Sequence, residues 1–491
     1  MIKTVVIVGG GTSGWLTALA VTHRIPNVGV ILIDKEESTA VGVGEATLLG
    51  FDKFLNEYCG LNPQEWMPAV DAIPKAGILF PDWVEEGNSI WHPFYFPMAD
   101  DKVPLWDAIS HTDEDIKGLL PLYDLSLDNK VDVADMKSYA WHIDCSKLVQ
   151  YIQDHLKNTS ILKHVQSSVV GKRVDAFNNI QSLVLADGSV VNGDIFFDCT
   201  GFKSILKEER DRVDLQGRLF VNTAVAGHVP YLEEGDCKCK GGTNSEKHPY
   251  VECPAVSDGW IWKIPLQTRI GSGMLFNRDI TDVEDAKDAF VAYWDGRVDR
   301  DSLKIIDWTP YYDRDIWQNN VISIGLSAGF IEPLESTGVA LITEGISKAV
   351  EIIKGRSFDS FDQDLYNSYM ISLFETCADF VSSHYAISKK ESDFWDYVRK
   401  NYAPSKYESV ILSNINSVEP SITDGKPSIF GGSNWLYWLL QMGYPTQRKT
   451  YLAESAADYF VQRYKSYKQS LESGRSAISL SEFEEMMNGT N

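Results

Sequence analysis

Thr4-Val5-Val6-Ile7-Val8-Gly9-Gly10-Gly11-Thr12-Ser13-Gly14 is the stretch on which the fold turns. Five residues of high β-propensity read as a fully buried strand, and glycines follow at once. Trp15 to Thr22 then continue as a helix bearing alanine and leucine, and a second buried strand, Val30-Ile31-Leu32-Ile33, ends at Asp34, 20 residues beyond Gly14. Each position has a physical task in a dinucleotide fingerprint. Gly9 permits the tight turn, Gly11 lets a pyrophosphate approach the backbone, and Gly14 lets helix and strand pack closely. Thr12 and Ser13 open the helix whose free amides and dipole favour phosphate, and Asp34 is placed to accept from ribose hydroxyls.

Working outward, Val41-Gly42-Val43-Gly44-Glu45-Ala46-Thr47 offers further close backbone approach, with Val43 and Ala46 as expected cofactor contacts. Asp194-Ile195-Phe196-Phe197-Asp198-Cys199-Thr200-Gly201 reads as another buried strand ending in a small-residue turn. Asn319 to Gly329 is a strand running into a glycine turn, and a helix is expected over 339–353; Leu326 and Val339 are expected to touch the cofactor. The fingerprint alone does not separate NAD from FAD. No second complete fingerprint follows, so a separate NAD(P)H domain is not expected.

The chain has 491 residues, of which 44% are hydrophobic and 12% aromatic, enough for a large core and incompatible with wholesale disorder. Lys plus Arg number 45 against 69 Asp plus Glu, a net charge of −24. That field repels a phosphate backbone, so neither nucleic acid nor anionic membrane is an expected partner. No run approaches the ~18 apolar residues of a membrane span. Met1 leads directly into the first strand without a signal-peptide pattern, and seven sparse cysteines suit a reducing compartment, so a cytoplasmic protein is expected. Cys237, Cys239, His248 and Cys253 do not have structural-zinc spacing, and no metal site is expected.

Two longer segments carry a resemblance. Gly259-Trp260-Ile261-Trp262-Lys263-Ile264-Pro265 contains W-x-W-x-I-P, and Phe330-Ile331-Glu332-Pro333-Leu334-Glu335-Ser336-Thr337-Gly338 contains F-x-x-P-x-x-S-x-G. Both resemble signatures of the flavin-dependent halogenases, best known as tryptophan halogenases. Gly42 to Thr47, Pro74 to Phe80, His92-Pro93-Phe94, Trp141 to Asp144, Asp198 to Phe202 and His384-Tyr385 extend the similarity over about residues 1 to 395.

The resemblance implies an enzyme that uses reduced FAD and O2 to oxidise a bound halide (chloride, bromide or iodide) to hypohalous acid, with a separate flavin reductase supplying the reduced cofactor. It implies an α/β fold: an FAD-binding, doubly wound domain of the GR2/PHBH-like kind interleaved with a sheet-containing substrate region, followed by a mainly helical C-terminal part. The expected division is a body over 1–355, with cofactor segments at about 1–50, 190–206 and 319–353, and a mainly helical substrate-binding region over 356–491. Lys75 matches the lysine that presents electrophilic halogen to an aromatic carbon. Glu335 matches the carboxylate that stabilises the cationic intermediate or takes its proton, and is the natural counter-charge for a buried Lys75. Halide is expected on the amides of Thr337 and Gly338, where the alternative is an ordinary helix cap by Ser336 or Thr337.

Trp260 and Trp262 alternate on a strand, so both face one side; they read either as core aromatics or as the wall between flavin and substrate. His92 and Phe94 match a segment that stacks on an indole. Trp435 or Trp438, in the aromatic run 430–444, is the candidate third partner. The substrate is expected to be a small electron-rich arene (indole, phenol or pyrrole). The pattern that grips the amino acid of free tryptophan is not evident. The alternatives are a flavin-dependent aromatic monooxygenase and a non-catalytic flavin-binding protein; the halogenase reading is compatible with a homodimer. Residues 453–467 read as an amphipathic helix and 482–491 as a fraying polar end.

Overall fold

Thr4–Val8 lies at the centre of a six-stranded sheet in the computed structural model of the chain. The structure describes residues 2–35, 45–94, 120–232, 246–355, 357–386, 388–414, 426–443 and 476–489, with a few isolated positions besides. Val43, Cys237, Cys239 and most of 453–467 lie outside the described residues.

The central strand pairs in parallel with Gly29–Asp34 on one side and Ile195–Asp198 on the other. Val321–Ser323 adds in parallel beyond Ile195–Asp198, and Leu162–Gln166 adds in parallel beyond Gly29–Asp34. Trp317–Gln318 closes one edge antiparallel. Helix Thr12–Arg24 follows the first strand, and a long helix, Thr337–Ile353, packs beside it. The parallel strands carry their C-terminal ends to one edge, the place where a doubly wound sheet binds its ligand. The three cofactor segments expected from the sequence therefore meet in one sheet; the strand at 162–166 had no apolar run to announce it, being a half-exposed edge.

A second, eight-stranded sheet is assembled from Gly77–Pro81, Ser89–Pro93, Thr223–Val229, Val251–Glu252, Ala255–Val256, Gly259–Pro265, Ile270–Phe276 and Lys304–Asp307. Its two faces differ. Ile261, Met274 and Val225 pack under helix Val283–Tyr293, whereas Trp260, Trp262 and Leu275 join the main core. A small third sheet places Glu45–Ala46 and Ile73–Lys75 on either side of Ala140–Ile143, with Lys75 opposite Ala140.

The C-terminal part is mainly helical, as expected: Ser360–Ser383, Asp393–Asn401, Lys406–Asn414, Gly432–Gln441 and Leu480–Met487. Of the polar end at 482–491, residues 482–487 complete the helix Leu480–Met487. Ser479 and Glu482 form a capping box and Phe483 is buried.

Candidate active site

The C-terminal edge of the six-stranded sheet opens into a cleft of about 1100 Å³. Gly9, Gly11, Thr12, Ser13, Asp34, Ala46, Leu326 and Val339 all line it. Gly9 sits at φ +113°, a conformation that L side chains rarely adopt, and its carbonyl lies 1.8 Å from where a Cβ on Gly14 would stand. The helix Thr12–Arg24 starts without a side-chain cap, so its first amides face the cleft. Asp34 is buried, and His164 holds its Oδ1 at 2.8 Å, an orienting partner that no sequence pattern revealed. The uncapped helix end, the glycine turn and the oriented acid at this volume fit a dinucleotide.

At the far end of the same cleft, Pro333–Glu335 makes one tight turn and Ser336 adopts φ 58° before the helix Thr337–Ile353 begins. The helix therefore starts two residues earlier than the sequence suggested. Ser336 does not cap it: its Oγ accepts from Lys75 Nζ at 2.8 Å. Gly338 lines the cleft with open space around it, and the Thr337 hydroxyl is buried without a protein partner. Backbone amides at a positive helix end, with no side chain capping them, suit a small anion.

Lys75 is fully buried. Its Nζ also donates to the Thr47 carbonyl at 3.0 Å and stands 4.6 Å from the centre of the Phe94 ring. Burial lowers its pKa to about 7, against the opposing pull of Glu335. The expected ion pair with Glu335 is absent: among the described residues no carboxylate lies within ion-pair distance of Nζ, and Glu335 acts on it only through space. Ser336, the neighbour of Glu335 in the motif, takes the lysine instead.

Glu335 is instead clamped by two imidazoles. His92 Nδ1 lies 2.7 Å from Oε2, and His384 Nε2 lies 2.5 Å from Oε1. Burial raises this carboxyl, but the two histidines outweigh it and hold it down at about 2. His92, expected on the face of a substrate ring, is buried and held at both nitrogens, the second by Asn434 at 2.9 Å. Phe94 remains half-buried beside Lys75. Trp435 is buried against Phe380, and Trp438 stacks on His384 with centroids 3.6 Å apart. Thr47, His384 and Asn434 were not assigned roles from sequence, and Ser336 was weighed only as a helix cap; Thr47, Ser336 and His384 stood in quoted motifs, whereas Asn434 lay in the aromatic run 430–444.

The two tryptophans of the W-x-W segment do face one side, but they do different things. Trp262 lines the cofactor cleft. Trp260 does not; its indole N–H points at Tyr385 Oη, 3.0 Å, and Glu332 Oε1, 3.3 Å. Tyr385 also donates to Glu332, whose carboxyl is raised to about 8 by burial. Among the described residues no cluster of metal-ligating side chains occurs, and no helix is long and apolar enough to cross a membrane. Cys253 lies beside the Leu334 carbonyl and His248 beside Glu252.

The tryptophan halogenase family model matches residues 4–458. The chain is similar to the tryptophan 6-halogenase of Streptomyces albogriseolus, 29% identical over 425 residues, which cover 80% of this chain and 78% of that protein. Among solved structures it resembles a tryptophan halogenase from Shewanella frigidimarina, with a TM-score of 0.89 and 25% identity over 99% of this chain and 98% of that one. It also resembles a tryptophan C-6 flavin-dependent halogenase from taromycin biosynthesis, with a TM-score of 0.88 and 25% identity over 99% and 100% of the two chains.

Proposed function

The chain belongs to the tryptophan halogenase family, and from that premise we propose that it halogenates a small, electron-rich, tryptophan-like arene, with Lys75 delivering the halogen. The observation that carries this reading is the buried Lys75 ammonium tied to Ser336, next to helix amides that open on the cofactor cleft. A lysine is almost never buried without a paired charge unless its chemistry is needed there.

Gly9, Gly11, Thr12, Ser13 and Asp34 would hold reduced FAD, which when bound would supply the two electrons by which O2 and halide become hypohalous acid and water. The amides of Thr337 and Gly338 hold the halide, and the positive helix end favours the anion over water. Trp262 walls the cleft, so only a small oxidant passes to Lys75. The free amine of Nζ attacks the halogen of hypohalous acid, the oxygen–halogen bond breaks and hydroxide leaves with one amine proton as water; the aromatic carbon then attacks the halogen on Nζ. The electron pair of the breaking bond to halogen stays on the lysine side, and the ring proton leaves through Glu335. Its carboxylate stabilises the cationic ring before that loss. A separate flavin reductase supplies the reduced cofactor.

The test is incubation with reduced FAD, O2, bromide and tryptophan or indole, followed by mass spectrometry. A bromoarene supports the reading, a hydroxyarene points to a monooxygenase, and unchanged arene with bound FAD points to a non-catalytic flavoprotein. Lys75→Ala should abolish the bromoarene while FAD binding survives; retained bromination would refute the lysine assignment.

A further inference from the structure

Glu335 accepts from two imidazoles, and the surrounding hydrogen bonds determine where each proton sits. Asn434 Oδ1 accepts from the Gly431 N–H at 2.9 Å, so its Nδ2 must face His92. An amide nitrogen only donates. His92 Nε2 is therefore a bare acceptor, its proton is on Nδ1, and His92 is a neutral donor to Glu335 Oε2. His384 differs. Its Nδ1 lies 2.8 Å from the Phe380 carbonyl, which only accepts, so Nδ1 is protonated. Its Nε2 then faces Oε1 at 2.5 Å. Two bare acceptors do not sit at that distance, so the contact contains one proton. The ring of His384 lies flat on Trp438, centroids 3.6 Å apart and planes 21° from parallel, and an aromatic face favours a cation.

We propose that His384 is a positioning residue that keeps Glu335 ionised as an imidazolium–carboxylate pair, while Asn434 fixes His92 as the neutral second donor. This rests on the halogenase reading for its catalytic consequence, although the proton placement stands on the hydrogen bonds alone. The other titratable groups around Glu335 are Lys75, Cys253 and Cys377. Neither thiol brings a positive charge; burial lowers the His384 pKa while its bond to Glu335, the Glu335 charge and the Phe380 carbonyl raise it, and on the proton count of its two contacts His384 is the counter-ion, leaving Lys75 free of the carboxylate. That division explains why Glu335 and Lys75 stand apart: a direct pair would immobilise the amine that must take the halogen.

The proton positions are read from the nitrogen shifts of 15N-histidine-labelled protein, with His92→Gln and His384→Gln assigning the signals. His384 should appear doubly protonated at neutral pH, and His92 neutral with its proton on Nδ1. Asn434→Asp replaces the donor with an acceptor and should convert His92 to the doubly protonated form. A neutral His384 with its proton on Nε2, or a His92 with its proton on Nε2, overturns the proposal whether or not the protein halogenates. Lys75 sets the acid limb of the kcat–pH profile near 7; in His384→Phe, burial should raise Glu335 into the same range, so the limb should steepen from one proton to two and kcat at neutral pH should fall by about 10-fold or more. His384→Gln, which keeps an N–H donor, should recover part of the loss. Folded, FAD-binding His384→Phe with an unchanged profile refutes the positioning role. Wild-type protein that shows the predicted protons yet forms no haloarene refutes only the halogenase reading.

Discussion

Lys75 concentrates the cost and the use of this site in one atom. In the unfolded chain the ammonium keeps its proton to an ordinary pKa of 10.5, whereas burial lowers the folded value to about 7. The unfolded state therefore binds more protons between those limits, and stability rises with pH across that window. Below about 7 the full penalty for burying the charge is present, on the order of 5 kcal/mol. Lys75→Met keeps the volume and removes the charge, so it should raise the melting temperature, most at pH 6 to 7, while abolishing halogenation. A melting temperature lowered at every pH would mean that the lysine is a structural anchor. The same value makes the free amine available near neutrality. If the amine takes the halogen, kcat should rise with pH through about 7 and then level, whereas a pure hydrogen-bonding role would make it fall. We expect the rise, measured in bromide excess with reduced FAD supplied chemically.

At the scale of elements, two helix N-termini form the ends of one cleft, and they were unequally legible in the sequence. The helix after Gly11 could be read directly, because the fingerprint is written in backbone requirements: the left-handed Gly9 and the glycine-only space at Gly14 hold in any tertiary context. The helix after Ser336 was legible only through the longer motif. Ser336 looks like a cap by composition, and its real partner, Lys75, lies 261 residues away. The same distance in sequence hid the clamp on Glu335, since His92 and His384 come from a sheet strand and the end of a helix 243 and 49 residues away. An added Cβ at Gly338 meets nothing within 4 Å, and alanine favours a helix more than glycine does. Gly338→Ala should therefore fold and bind FAD within about twofold of wild type, yet raise the halide KM by about 10-fold by crowding the amides. Equal losses of FAD and halide affinity would show that the turn holds the cofactor and not the anion.

For the whole molecule, the sequence suggested a body ending near 355 and a helical remainder that selects the substrate. Packing crosses that point. Tyr366, Met370 and Phe374, on helix Ser360–Ser383, line the cofactor cleft, and Tyr366 is fully buried. Its hydroxyl stands 3.1 Å from where a Cβ on Gly345 would lie, so this helix presses on the one that begins after Ser336. His384, just beyond the same helix, clamps Glu335, and Asn434 sets His92 from a later helix. Composition could not reveal this, because an amphipathic helix that covers a cofactor sheet has the same pattern as one that forms its own small domain. Burying several large side chains at ~1.5–3 kcal/mol each is comparable to the entire stability of a domain, so the first 355 residues should not stand alone. A chain ending at residue 355 is expected to be insoluble, or soluble without cooperative unfolding, and to bind no FAD. The check is flavin absorbance retained after gel filtration, together with a thermal melt. A truncated chain that melts cooperatively and keeps its flavin would restore the boundary at 355 and assign the helical remainder to the substrate alone.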